Sequence, residues 1–463
     1  MCIRDRYQKP GGTAVVSHSR ITSQNGNGIN VNADQAAADL DSVQVTALGD
    51  YGVAIWMPGS NTRVDVKDSI LQTRGQSAVA IDNRGGVFTM DGGSISTLGD
   101  NSHALYASPD TTNSPGAVFN VSRVLIETSG RGSVGALARM AGASISLSNS
   151  SIVTHGDLGY GLFASGRGAS VELQDSDVQT AGEQAHGLAI SNNATTRFQG
   201  STVVTNGSNA HGIVSFATGA GVVNDVEVTS SHIQTEDGAG ILVNGGGLTT
   251  RFTDSSLVGR SGGEQGTALW ITDRASGVLA GAVQLDAVRS NLFGDVLVDG
   301  GSLQLSLADH SSLDGAIKGG SRDTQLSLDD SSVWTLRGDS QLTRLANNGV
   351  VEFADPGLAG AFKQLQVSGD LEGDGHYIMN TDLGLQQGDR LIVGGQVTGN
   401  NDILVRNSGS EPGAEGQSLT LVQSAGGPGS FSLANRGGVV DAGTYRYGLS
   451  LIHISEPTRP LYI

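Results

Sequence analysis

The feature that most constrains this chain is an internal repeat. Three stretches, SSIVTHGDLGYGLFAS (Ser150–Ser165), SDVQTAGEQAHGLAIS (Ser176–Ser191) and STVVTNGSNAHGIVSF (Ser201–Phe216), share one pattern. Each has a serine, a β-branched residue two positions before a threonine, the threonine, one residue, a glycine, four more residues, a second glycine, and Leu or Ile. The anchor threonines Thr154, Thr180 and Thr205 lie 26 and 25 residues apart. Upstream, Thr128, Thr97 and Thr73 open the same Thr-x-Gly, with Gly135, Ala104 and Ala80 seven residues on. Thr46 fits with one residue inserted before Gly49, and Thr235 fits with a shorter turn ending at Gly240-Ile241. About eight units therefore recur every 24 to 31 residues, a period at which one unit cannot bury its own apolar face and stacked neighbours must share a core.

Within a unit the apolar period is two. Ser-x-Val-x-Thr reads as one short strand, Gly-Leu-Phe-Ala as a second, and Ala169–Leu173 as a third, matched by Ala143–Leu147 one unit earlier. Gly, Asp and Asn stand between them, where turns need positive φ. The pattern predicts an all-β fold, a right-handed parallel β-helix with three short strands per coil, each pairing with its equivalent about 4.8 Å along the axis. Ile152, Val178 and Val203 should form one inward ladder, and Leu162, Leu188 and Ile213 another.

Composition agrees with a thin aliphatic core. The 463 residues include 69 Gly, 37% hydrophobic residues and only 5% aromatics, which is too apolar for an acidic disordered chain. A formal charge of −18 speaks against nucleic acid as a partner, because phosphate neutralisation needs clustered Lys and Arg. The one cysteine, Cys2, lies in Met1–Arg6 (MCIRDR); that tip and the LIHISEPTRP stretch (Leu451–Pro460) resemble read-through of sequencing-adapter DNA. The chain is therefore divided into residues 1–6 and 450–463 as tips outside the fold, 7–280 as repetitive coils, and 281–449 as a C-terminal stem.

From about residue 280 the repeat changes character. Ser331 to Trp334, Gly338 to Ser340, Asn347 to Gly349, Gly369 to Gly375, Asn380 to Leu383, Gly388 to Leu391 and Asp441 to Tyr447 follow in order. This succession, from Leu303 to Leu449, resembles the stem of pertactin-like autotransporter passenger domains; the upstream coils are similar to such passengers in architecture. The resemblance implies a Gram-negative outer-membrane or extracellular location, type V secretion through the protein's own outer-membrane β-barrel, and a C-terminal region that folds first as an autochaperone. It also implies a non-enzymatic adhesin that meets a host-cell or matrix receptor, or like passengers on neighbouring cells. A β-helical enzyme acting on acidic polysaccharide and a self-associating aggregation factor are the alternatives.

Few residues suggest chemistry, and no cofactor or metal site is expected. Arg337-Gly338-Asp339 is an RGD tripeptide, which a receptor would grip through opposite charges, yet it falls on a structural turn of the resembled motif. His103, His186 and His211 each stand six residues after an anchor threonine, two of them on neighbouring coils, but without a carboxylate or thiolate at matched spacing; they are expected at turn edges facing water. Asn380-Thr381-Asp382 and Asp329-Asp330 could supply paired carboxylates of the kind an inverting glycosidase needs, but the accompanying motifs of β-helical pectin hydrolases are missing. Asn149, Asn193 and Asn206 open glycosylation-type sequons, expected to be fortuitous. The segments Ser108–Gly116 and Glu411–Gly416 are enlarged connections where a coil could carry partner specificity.

Overall fold

The computed structural model describes residues 11–109, 116–261, 266–357, 361–409, 411–412, 418–451 and 459–462. Cys2 and the rest of Met1–Arg6 lie outside them, as do residues 110–115 and 413–416 of the two enlarged connections. Among the described residues the regular structure is almost entirely strand. Among those residues no helix is long and apolar enough to cross a membrane.

The fold is a parallel β-helix, and the chain divides into two compact units. The first comprises residues up to 250 with 257–266 and 274–279; the second comprises 251–256, 267–273 and 280 onward.

In the first unit a representative coil contributes strands Ala143–Ser148, Ser151–Thr154 and Leu162–Ser165. The next two coils repeat them as Ser170–Gln174, Asp177–Thr180 and Leu188–Ser191, then Thr195–Gln199, Thr202–Thr205 and Ile213–Phe216. The expected ladders are present: Ile152 pairs with Val178 and Val178 with Val203, while Leu162 pairs with Leu188 and Leu188 with Ile213. All six are buried, so each coil closes the core of its neighbour. In three coils the first two strands run together as Arg63–Thr73, Val87–Thr97 and Ala117–Thr128.

Two polar ladders fix the corners. Thr73, Thr97, Thr128, Thr154, Thr180, Thr205 and Thr235 stack in one fully buried row. Each hydroxyl donates to a carbonyl of the turn that follows, as in Thr154 to Gly159 at 2.6 Å and Thr205 to Ala210 at 2.7 Å. The bond is local, so the hydroxyl is satisfied without reference to the next coil. At the other corner, Asp175 takes a positive φ of 48° and Ser176 turns inward. The Ser176 hydroxyl donates to the Gln174 carbonyl at 2.7 Å and accepts the Ser150 backbone N–H, one coil away, at 3.0 Å. Ser201 and Ser231 repeat that bridge.

Two expectations are corrected here. Thr46 is not the anchor of its coil: Ala47 pairs with Thr73 and Thr46 with Gln72. Ala47-Leu48-Gly49 is therefore the ordinary three-residue corner with Ala in the threonine position, and nothing is inserted. The glycine of Thr-x-Gly is also not there for positive φ. A Cβ on Gly182 would lie 2.2 Å from the Gly156 carbonyl oxygen, and one on Gly207 would lie 1.7 Å from that of Gly182; close approach of successive coils demands the glycine. Positive φ falls instead on residues such as Gln184 and Leu158.

The second unit stacks coils of less regular length. Ser290 to Ser311 is a step of 21 residues, Asp286 to Ser306 one of 20, and Gly375 to Asn401 one of 26. Its serine corners persist at Ser255, Ser290 and Ser311, but no threonine row runs through its described residues. Trp334 is fully buried and its indole N–H reaches the Gly315 carbonyl at 2.9 Å. Near the end, Val440–Ala442 and Tyr445–Tyr447 form an antiparallel hairpin, turning at Gly443 with φ 61°. The backbone of Arg459–Tyr462 runs antiparallel to that of Thr420–Gly426.

Candidate functional site

The RGD tripeptide lies in the turn after the Trp334 strand. Arg337 projects from the surface and is held by the Asp314 carboxylate one coil away, with Nη2 to Oδ2 at 2.6 Å. That bond raises the guanidinium's proton affinity above its ordinary value. The Asp339 carboxylate accepts the Gln364 backbone N–H at 2.8 Å, and the Ser340 hydroxyl accepts that of Ile317 at 3.1 Å. Both charges of the tripeptide thus already have partners in the fold.

His186 and His211 are ladder neighbours, whereas His103 is separated from them along the row by Val134 and Tyr160; the environment of all three differs from the water-facing one expected. His186 stacks between Tyr160 and His211, with ring centroids 5.1 Å apart on each side. Nδ1 of His103, His186 and His211 accepts the backbone N–H of Val134, His211 and Ala239, at 3.1, 3.1 and 2.9 Å. Burial among these neighbours lowers the imidazoles to about 4, 3 and 4 respectively. They are neutral, their acceptor nitrogens are spent, and the tautomer is fixed with the proton on Nε2. Among the described residues no group of three or more His, Cys, Asp or Glu is placed to hold a metal.

The candidate carboxylates are turn organisers. Asp329 accepts the Ser331 N–H at 3.1 Å and the hydroxyls of Ser331 and Ser332 at 3.0 and 2.7 Å. Burial pushes its carboxyl up, but these bonds and one from the Asp309 N–H outweigh it and hold it below the usual range. Asp382 accepts the Leu385 N–H at 2.9 Å. Asn380 is buried and donates to the Phe353 carbonyl at 2.8 Å and to Asp389 at 2.9 Å. Asp389 also accepts the N–H groups of Lys363 and Asn380, both at 2.7 Å. Burial raises its carboxyl despite those donors. Asp389 is structurally central, and sequence reasoning passed over it as part of the Gly388–Leu391 motif. Of the enlarged connections, Glu411 accepts the Thr444 N–H at 2.9 Å.

One surface was missed altogether. On the outer face of the second unit, Gln284, Gln304, Gln325 and Arg344 stand in register, beside a row of Asp286, Ser306, Ser327 and Ala346. Together they line an open trough of about 380 Å³. The signal was present as Leu-Gln-Leu-Ser-Leu at Leu303–Leu307 and Thr-Gln-Leu-Ser-Leu at Thr324–Leu328, where the polar residues of one alternation repeat.

Residues 342–452 match the Pertactin family model, over the segment that carries Asn347–Gly349, Asn380–Leu383 and the closing hairpin. Over that segment the chain is similar to pertactin-like autotransporter passengers. Its similarity to the autotransporter adhesin/invasin TibA of Escherichia coli O78:H11 is 34% identity over 228 residues, 48% of this chain and 21% of that protein. To the pertactin autotransporter of Bordetella parapertussis it is 41% over 155 residues, 32% of this chain and 16% of the relative. A more distant likeness, 31% over 138 residues, or 28% of this chain and 9% of the relative, is to the IgA-specific serine endopeptidase autotransporter of Neisseria gonorrhoeae. The matched part of the chain thus spans about a fifth or less of the length of these relatives.

Proposed function

We propose that this segment belongs to a passenger displayed on, or released from, the Gram-negative outer membrane, and that it acts as a non-enzymatic adhesin. The observation that supports this best is the ordered run of stem motifs, Ser331 to Tyr447, on stacked β-helical coils. Similarity to an adhesin/invasin over nearly half of the chain points the same way. Asp329, Asp382 and Asp389 accept backbone N–H groups, which favours display over hydrolysis. Export would use the protein's own β-barrel translocator, with residues 281–449 as the stem that folds first and 7–280 as coils added to it, since a solenoid propagates from one folded end. The partner is a host-cell or matrix receptor, or a like passenger on a neighbouring cell. A narrower proposal is receptor contact through Arg337-Gly338-Asp339, which would require a receptor to compete with Asp314 and with the Gln364 N–H.

The test is to produce the full-length gene product in a non-adherent bacterium. Antibodies against residues 11–250 should label intact cells, and deletion of residues 7–280 should abolish adherence to host cells while export persists. Absence of surface label, or adherence independent of these coils, overturns the reading. Adherence unchanged by Asp339→Ala removes the tripeptide from it.

A further inference from the structure

A ladder of glutamines on a parallel sheet usually satisfies itself, each amide bonding to the next along the axis. In the trough of the second unit the amides turn sideways instead. Gln284 Nε2 donates to Asp286 at 2.8 Å, and Gln325 Nε2 donates to Asp323 at 3.0 Å. Asp286 also accepts the Ser306 hydroxyl at 2.6 Å. Gln304, exposed between the two, has no hydrogen-bond partner for its side chain among the described residues, and neither does exposed Ser327 on the next coil. The trough is therefore a row of uncommitted donors and acceptors flanked by oriented ones.

The lining also selects the chemistry of an occupant. Its two charges, Asp286 and Arg344, cancel, and the Arg344 guanidinium already meets Glu372 at 2.5 Å, so a polyanion gains nothing. Leu305 and Leu326 reach the trough only from the buried side of the sheet, leaving no exposed apolar centre of the sort a protein interface needs. Alternating amides and hydroxyls, repeated at about 4.8 Å per coil, suit a ligand whose own groups both donate and accept at every step. We infer that the trough binds a neutral, hydroxyl-rich oligosaccharide lying along the coil axis, with the Gln304 amide and Ser327 hydroxyl as its principal contacts and Asp286 and Arg344 at its sides.

The inference rests on the adhesin reading and names its ligand class. Purified chain is titrated with cellohexaose, maltohexaose and chitohexaose, with hexameric oligogalacturonate as the anionic comparison. At least one neutral hexamer should bind, and Gln304→Leu combined with Ser327→Val should weaken that binding at least tenfold without changing the thermal transition. Gln304→Glu, which keeps size and polarity but adds charge, should weaken it as well. No binding of any neutral hexamer at millimolar concentration, preference for the oligogalacturonate, or binding indifferent to both variants overturns the inference. Adherence of cells carrying the double variant is measured in parallel: retained adherence despite lost glycan binding overturns the trough as the source of adhesion and leaves the adhesin reading standing.

Discussion

The two units solve the same problem, closing a coil, in different ways. In the first, one corner is copied: a buried threonine bonded into its own turn, then a glycine over which the next coil passes at carbonyl-contact distance. In the second, the serine corner persists through Ser255, Ser290 and Ser311, but elsewhere coils are closed by individual devices, such as Trp334 on the Gly315 carbonyl or Asp389 gathering three N–H donors. A copied corner makes the sequence repeat visible even though the coil step ranges from 24 to 31 residues. Individual corners permit steps of 20, 21 and 26 residues, and the repeat blurs.

That contrast makes glycine substitution the sharpest test. Gly182→Ala should destabilise the first unit by about 3 kcal/mol or more, because its new methyl meets backbone that cannot move without shifting a coil. Gly338→Ala in the second unit should fall within about 0.5 kcal/mol of the parent, since the nearest atom to its Cβ is the Ala316 methyl at 3.6 Å. Hydrogen-exchange protection resolved by segment reads both; equal costs would break the comparison. Next in size is Asp389→Ala, expected to cost about 2 to 3 kcal/mol by stranding buried donors, with lost protection confined to the second unit. Spread of that loss into residues 11–250 would contradict the separation of the units. Thr180→Val, which keeps shape and removes one hydroxyl, should cost about 1 kcal/mol and weaken protection locally in the first unit.

The last effect is with pH. The three ladder histidines titrate below their ordinary 6.5, so the unfolded chain takes up protons first and stability falls as pH drops from about 6.5 towards 4. Carboxylates held low, such as Asp91 and Asp254, give up their share only below their ordinary value of 3.8, outside that window. The melting temperature of the first unit should therefore decline between pH 7 and 5. His186→Asn with His211→Asn, which keeps an acceptor for each backbone N–H, should flatten the decline. A slope unchanged by the double variant would place the proton uptake elsewhere.

The sequence by itself determined the β-helix, the inward ladders and the stem motifs, because these depend on alternation and spacing inside one coil. Tertiary structure decided which residues meet across coils: that Ala47, not Thr46, continues the threonine row, that Ser176 reaches the Ser150 N–H, and that His186 is stacked and neutral. It also decided that Arg337 belongs to Asp314 and that Gln304 faces a trough without a partner. Each of these contacts joins residues about 20 to 30 positions apart. Within a coil the period of two fixes which side chains face inward; between coils the partner depends on the length of the intervening turns, and a change of one residue in that length moves every contact to a different side chain.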